Sequence, residues 1–485
     1  MAITKLEALE ILDREKEYLC SVSDKIWDNP ETAFEEYVSA DALCEALEHE
    51  GFTVEKNVAD IKTAFTGTWG SGKPVVGFLG EFDALSGLSQ EAGNAVKTPL
   101  VEGAPGHGCG HNLLGVGALG AALATKEYLE KNNLPGTVIF YGTPGEEGGS
   151  GKAFMAREGV FADLDFCITW HPGGANRVSM GSSNANFQVI YRFKGISSHA
   201  GGSPWNGRSA LDALELMCTG VQYLREHVTT DVRMHYAITN TGGYSPNVVQ
   251  AAAEAIFLLR AKDVAGVRHV YDRVNKIAQG AALMTETEVE IDFVKGCSNV
   301  IPNRVMADLL YKNLQEVKKP VLKEEDYELA KGIIESIPAA SKSDYASSLN
   351  YIKDRALRAK LYEEHKDDVI CEYVMPMNEN EGAGGGSTDV ADVSWNCPTQ
   401  QLGAATVAIG TPGHSWQLVA QGKSNLAHEG MIYAARAMAG AAIDMIAEPS
   451  LIEAAKAEFL ERLDGKTYEC PIPKGIKPRT MTGKK

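Results

Sequence analysis

Val138-Ile139-Phe140-Tyr141-Gly142-Thr143-Pro144-Gly145-Glu146-Glu147 is an apolar run that breaks at a glycine- and proline-rich turn onto two adjacent carboxylates. Four β-favouring residues stopped by Gly and Pro read as a buried strand leaving a sheet. Three other stretches repeat the pattern. Val75-Val76-Gly77-Phe78-Leu79-Gly80 ends at Glu81-Phe82-Asp83, and Phe166-Cys167-Ile168-Thr169-Trp170 ends at His171-Pro172. Ala404 to Ile409 forms the fourth run, ending at Gly410-Thr411-Pro412-Gly413-His414. Helical patterns follow these runs, so the sheet is expected to be α/β with parallel strands. Acids and histidines stand just past each run, and in open α/β sheets that edge is where ligands bind.

The middle of the chain has a different rhythm. Phe187, Val189, Tyr191 and Phe193 alternate as on a half-buried strand, and a helix capped by Ser209 follows through Leu211, Leu214, Met217 and Val221. Strand-like segments at 234–239 and 255–261 precede a helix over 264–282 and an alternating segment at 289–293. The order βαββαβ is that of a ferredoxin-like unit. The expected organisation is a catalytic domain in two parts, 1–185 and 299–485, with an inserted domain at 186–298. Residues 324–368 read as helical and charged, a surface elaboration.

Composition narrows the function classes. The chain has 485 residues, 44% hydrophobic, enough for a large core and more than one domain. Its net charge of −18 argues against nucleic acid as a partner, since phosphate binding needs a basic face. No uninterrupted apolar stretch suggests a signal peptide or a membrane span, so a cytoplasmic protein with no membrane partner is expected. The nine cysteines lack the close pairing of a disulfide framework and read as reduced thiols.

The local chemistry points to metal. In His107-Gly108-Cys109-Gly110-His111-Asn112 a thiol and imidazoles precede the helical stretch 113–129. Thiolate and imidazole are good ligands for first-row ions, and a helix N-terminus helps to form the thiolate. A glycine-rich turn with a buried Cys and a capping His is the plainer alternative. Adjacent Glu146 and Glu147 point in different directions in an extended turn, so one carboxylate can hold a metal while the other faces the attacking water. His171 and His414 each follow a strand. His428 competes with His414 for the last ligand position, but the Gly-Thr-Pro-Gly-His turn before His414 repeats the turn before Glu146. His428 then reads as a neighbour that orients a ligand or contacts substrate.

With Cys109-Gly110-His111-Asn112, the Glu146-Glu147 pair and His171 in order along nearly the whole chain, the sequence resembles the metal-dependent aminoacylase and amidohydrolase family that includes hippurate hydrolase and the auxin-conjugate amidohydrolases. Asn112 departs from the Asp usual in that family. Cys109–Gly115, Gly386-Ser387-Thr388-Asp389-Val390, Asp392-Val393-Ser394-Trp395, Ser415-Trp416-Gln417 and Tyr468–Pro473 are similar to the subgroup that acts on p-aminobenzoyl-glutamate.

The resemblance implies a mixed-sheet metallo-exopeptidase-like catalytic domain with an inserted ferredoxin-like lid or dimerisation domain. It implies two divalent ions, Mn2+ or Zn2+, bridged by Cys109 and held by His111, Glu147, His171 and His414. Glu146 would be the general base and Asp83 an orienting acid, a strand-end cap being its plainer role. His199 would reach the partner subunit's site to stabilise an oxyanion, while Asn247 and Arg260 bind the substrate carboxylate or the oxyanion. Gly386, Ser387 and Thr388, with Gly385, could wrap the ligand, against the plainer reading of a flexible loop. The implied activity is hydrolysis of N-acyl amino acids, p-aminobenzoyl-glutamate foremost, by a homodimer built through the inserted domain or a heteromer with a related subunit. A dipeptidase, or a hydrolase of other N-acyl or N-aroyl amino acids, is the near alternative. A non-catalytic metal-bound binding or regulatory subunit is the alternative of another class.

Overall fold

The apolar runs become neighbouring strands of one sheet. The computed structural model describes residues 2–339 and 345–480. Its strands are β1 (Thr53–Lys56), β2 (Phe65–Ser71), β3 (Val75–Gly80), β4 (Gly136–Gly142), β5 (Phe166–Gly173), β6 (Arg177–Val178), β7 (Ala185–Lys194), β8 (Arg233–Asn240), β9 (Ala252–Ala261), β10 (Glu288–Cys297) and β11 (Thr399–Ala405). Seven of them lie in the order β1-β2-β4-β3-β5-β11-β6. The central pairs β4/β3, β3/β5 and β5/β11 are parallel, and antiparallel β1, β2 and β6 extend the flanks. Both faces of a parallel sheet are covered, so its strands are apolar throughout rather than alternating. Val76, Phe78 and Leu79 on β3 are all buried. The carboxyl ends of these four strands open on one edge, which brings their trailing acids and histidines together.

β11 stops at Ala405, short of the Ile409 expected from the apolar run. The amides of Thr406 and Val407 both turn onto the carbonyl of Gly173, which ends the ladder with β5. His414 therefore sits on a separate loop, anchored by its backbone N–H to the carbonyl of Gly108.

The helices His111–Lys131 and Asn425–Ala447 pack against each other and on the sheet. Small residues permit this close approach. A Cβ at Gly117 would come within 2.6 Å of the indole of Trp170. Helix Asn425–Ala447 is long and apolar enough to cross a membrane, but 89% of its apolar window is buried within the protein.

The second sheet has the order β10-β7-β9-β8, antiparallel throughout. Along the chain it alternates with helices Ala210–Leu224 and Val264–Thr285, giving β-α-β-β-α-β. Ser209 caps the first helix by accepting the N–H of Asp212. Ala253, Ala255, Phe257, Leu259 and Ala261 on β9 are buried beneath the helices, while Tyr236 and Ile238 on edge strand β8 are exposed.

The stretch 324–368, expected to be a charged surface elaboration, holds helices Glu324–Ser336, Tyr345–Ser348 and Arg355–His365; residues 340–344 lie outside the described residues. It is more than a surface feature. Segment 371–378 runs beside β6 through bridges Asn176–Val374 and Ser179–Asn378, and Tyr345, Tyr351 and Tyr373 face the large cavity at the sheet edge.

Candidate metal centre

The centre is built where the loop 107–110 turns into the helix starting at His111. Gly110 has a φ of 79°, a left-handed conformation that glycine adopts without steric cost. The turn aims the Cys109 sulfur and the His111 ring at the carboxyl ends of β3 and β5. Asn112 points away, donating to Ser23 Oγ and the Gly422 carbonyl, both at 3.1 Å.

Two sets of side chains converge. Ligand atoms of Cys109, His111 and His171 lie within 4.8 Å of one another, as do those of Cys109, Glu147 and His414. Cys109 belongs to both. His111 Nδ1 lies 2.9 Å from Asp83 Oδ1, and His171 Nδ1 lies 2.7 Å from the Pro172 carbonyl. With both Nδ1 atoms turned onto oxygen acceptors, both Nε2 atoms face the centre, where a bound ion would take the place of their protons. Nε2 of His171 is 3.4 Å from Cys109 Sγ. Nε2 of His111 and Oε1 of Glu147 are buried without a hydrogen-bond partner among the described residues. Thiolate, imidazole and carboxylate suit divalent ions such as zinc, and these two orphaned atoms are what such ions would satisfy.

The electrostatics fit that use. Burial alone would push the Cys109 thiol up, but the imidazoles of His171 and His111 outweigh it and hold the thiol well below its ordinary range. Burial pushes Glu146 well above the usual carboxylate range, and the charges of Glu81, Asp389 and Glu147 push it further. Burial also raises Glu147, opposed by its hydrogen bond to His414. His414 lies 3.3 Å from Glu147 Oε2, and hydrogen bonds to Cys109 and Glu147 raise it to about 10. Its φ of 53° is uncommon for a residue with a side chain, so the loop holds it in a strained conformation.

Four contributing residues carry little or no mark in the sequence. Glu81 Oε2 lies 3.2 Å from His111 Nε2, and Oε1 lies 2.7 Å from the fully buried Lys152 Nζ. Lys152 also pairs with Asp389 at 2.6 Å, and its backbone N–H donates to the same carboxylate. Ligand atoms of Glu81, His111 and Glu146 form a third close group. Glu36 accepts the Gly145 and Phe34 amides, both at 2.9 Å, and so shapes the turn before Glu146. Burial, with Asp83 nearby, pushes Glu36 up to about 8. Three faint signals exist: Glu81 two residues before Asp83, Lys152 in the glycine run after the glutamate pair, and Asp389 in the stretch Ser387-Thr388-Asp389. Glu36 has none.

Cys109, Glu146, Glu147, His171 and His414 open onto a cavity of about 850 Å³. Arg260 and the loop Gly386-Ser387-Thr388 line its wall, with Arg260 Nη1 donating to Ser387 Oγ at 3.0 Å. Asp83 is buried and engages both the His111 ring and the Glu147 amide. His199 and Asn247 are exposed, lie outside this cavity in their own chain, and are joined by the hydrogen bond from Ala200 N–H to the Asn247 carbonyl. His428, on helix Asn425–Ala447, pairs with Asp24 at 3.0 Å on the helix Lys16–Asp28 and belongs to none of the close ligand groups among the described residues.

Comparison with known proteins agrees with this geometry. The pattern of peptidase family M20/M25/M40 matches residues 77–337, more than half of the chain. The chain is 46% identical over 480 residues to a p-aminobenzoyl-glutamate hydrolase subunit of Escherichia coli (strain K12), covering 97% of this chain and 98% of that protein. It is 31% identical to the Xaa-Arg dipeptidase of Mus musculus, over 64% of this chain and 71% of that one. In fold it is similar to a dinuclear metal-binding peptidase of the M20 family from Bacillus subtilis, with a TM-score of 0.54 at 16% identity, covering 90% of this chain and 99% of that one. A metal-ligand cluster at the carboxyl edge of a mixed sheet, a family pattern over half the chain and a relative matched end to end place this metal-dependent amidohydrolase in peptidase family M20/M25/M40.

Proposed function

We propose that this amidohydrolase cleaves N-acyl amino acids, with p-aminobenzoyl-glutamate as the substrate and p-aminobenzoate and glutamate as products. The observation that carries the reading is one thiolate shared by two ligand groups beside the buried carboxyl of Glu146. The substrate is the one for which the 46% identical relative is named. Cys109 would bridge two divalent ions, Mn2+ or Zn2+, with His111, Glu147, His171 and His414 as the other ligands and Asp83 behind His111. Ions held there lower the pKa of water and polarise a carbonyl. Glu146 takes the proton from the attacking water and passes it to the departing amine nitrogen. Its carboxyl faces the cavity beside the ligand groups, within an acidic cluster whose charge bound cations would offset.

His199 supplies the complementary donor. Its Nδ1 accepts the N–H groups of Gly201 and Gly202 at 3.1 and 3.0 Å, so the proton resides on the outward Nε2. An exposed Nε2–H, with Asn247 beside it, suits stabilisation of the oxyanion in the cavity of a second subunit. Residues 186–298 would then act as an inserted lid and dimerisation domain between the parts 1–185 and 299–485. Exposed Ile196, Trp205, Tyr236, Ile238, Tyr244 and Val248 on that unit support a subunit interface. A homodimer is the first form expected and a heteromer with a related subunit the second, in the cytoplasm. Arg260, Asn247 and the loop 386–388 would hold the substrate carboxylate.

The test is hydrolysis of a panel of N-acyl amino acids and dipeptides with manganese or zinc, wild type beside Glu146→Ala at matched metal content. Release of glutamate from p-aminobenzoyl-glutamate by wild type, lost in the variant, is the expected result. Preference for dipeptides would favour the dipeptidase reading, which the 31% identical Xaa-Arg dipeptidase supports. Binding of p-aminobenzoyl-glutamate without turnover, even when a partner subunit is supplied, would make the chain a binding subunit.

A further inference from the structure

Two arginines, Arg260 and Arg177, line the cavity. Arg260 is engaged with Ser387 Oγ. Arg177 has no ion pair or hydrogen bond from its guanidinium among the described residues, although the chain carries 64 acidic residues against 46 basic ones. The tyrosine hydroxyls of the same cavity wall are occupied elsewhere. Tyr351 Oη donates to the Pro376 carbonyl at 2.7 Å, and the hydroxyls of Tyr345 and Tyr373 pair with each other.

The sheet register places this unpaired charge relative to the centre. Gly403 on β11 is the pairing partner of His171 on β5 and, on its other side, of Arg177 on β6. Residues paired across neighbouring strands present their side chains to the same face. His171 and Arg177 therefore share a face, two strand spacings or about 10 Å apart. Gly403 puts no side chain between them. A Cβ there would lie 3.3 Å from Cγ and 3.6 Å from Nε of Arg177, so the arginine stem lies alongside that gap. The wall beyond is made by Tyr351 together with Tyr373 and Met375 of the segment that runs beside β6.

From this juxtaposition we infer that Arg177 is a specificity-determining residue that binds the side-chain carboxylate of an acidic amino acid, selecting N-acyl-glutamate over N-acyl derivatives of neutral amino acids. The inference rests on the hydrolase reading above and deepens it. Arginine carries only donors, so the group it receives must be an acceptor. An aromatic amine at the far end of the acyl group offers N–H donors and cannot fill that role. A planar carboxylate accepts two parallel bonds from the guanidinium fork, which a neutral amide of the same shape does not reproduce.

The experiment compares p-aminobenzoyl-glutamate, p-aminobenzoyl-glutamine and benzoyl-glycine as substrates for the metal-loaded wild type, Arg177→Ala and Arg177→Lys. Wild type is expected to prefer glutamate to glutamine. Arg177→Ala should lose on the order of 10²-fold in kcat/KM for the glutamate substrate, with the two neutral substrates unchanged. Arg177→Lys should recover part of the loss, since it restores charge without the fork. Benzoyl-glycine turnover also controls for folding. An equal loss on all three substrates, no loss on glutamate, or a wild type indifferent between glutamate and glutamine would overturn the inference while leaving the hydrolase reading intact. Calorimetric binding of the glutamate and glutamine compounds to Glu146→Gln protein, with and without Arg177→Ala, needs no turnover. If wild type cleaves nothing, the functional reading fails, and the carboxylate preference in binding, kept or lost on removing Arg177, still decides the inference.

Discussion

Nδ1 of His111 stands 2.9 Å from one oxygen of Asp83, whose other oxygen accepts the backbone N–H of Glu147 at 2.9 Å. One carboxylate thus engages a candidate ligand at the start of a helix and another in the loop after β4. Burial opposes the charge of Asp83, but His111 outweighs it and holds the carboxyl below its ordinary range. Asp83→Ala is expected to weaken metal affinity by roughly 10- to 100-fold, as removal of such orienting partners does. Competition with a chromophoric chelator measures this, and unchanged affinity would show that His111 is held by packing alone.

Lys152 is a fully buried ammonium between Glu81 and Asp389. Burial favours its neutral form, but the two carboxylates prevail and keep it charged. Lys152→Met removes the cation that these two buried carboxylates share, and breaking a buried pair costs about 3–5 kcal/mol. Denaturant unfolding at pH 7 should show a loss of that order, partly restored by adding Asp389→Asn. A loss under about 1 kcal/mol would contradict the burial of this group.

Gly117→Ala separates helix propensity from packing. An added methyl favours a helix by about 1 kcal/mol. Here it would meet the indole of Trp170, whose Nε1 donates to the Leu114 carbonyl at 2.9 Å, and overpacking costs about 1–3 kcal/mol. Net destabilisation is expected, with weaker metal binding because Trp170 precedes His171. A raised Tm would refute the close approach.

His428 sets a pH limit. Burial works against its charge, but hydrogen bonds to Asp24 and Cys20 prevail and raise it to about 9 from 6.5. A folded-state value above the unfolded one means stabilisation is complete below about pH 6.5 and fades as pH rises towards 9. Stability should fall by about 1–3 kcal/mol across that window. His428→Gln should flatten the decline, and an identical slope in wild type and variant would remove His428 as its source.

The strand ends were legible because parallel strands are apolar on both faces and their loops carry the chemistry. Glu146, Glu147 and His171 could thus be read from runs such as 138–141 and 166–170. The segments of the second sheet were also visible, since alternation along Phe187–Phe193 marks a one-sided strand. The ion pair beneath the centre was not. Lys152 and Asp389 are 237 residues apart, and a lysine in a glycine run carries no mark of burial. The tyrosine wall escaped for the opposite reason. Segment 324–368 is charged overall, and only its tertiary placement turns Tyr345 and Tyr351 inward. The His428–Asp24 pair was not legible either, because a histidine near a ligand-like motif says nothing about which face of its helix it occupies.

The acid strength of Cys109 has a chemical consequence away from hydrolysis. Burial drives Cys44, Cys167, Cys218, Cys297, Cys371 and Cys470 towards the inert thiol, whereas Cys109 is held as thiolate by two imidazoles. The thiolate is the form that peroxide and alkylating agents attack. Oxidation of the metal-free protein is therefore expected to favour the residue common to both ligand groups. A sulfinic or sulfonic acid there would remove the thiolate that both ligand groups share.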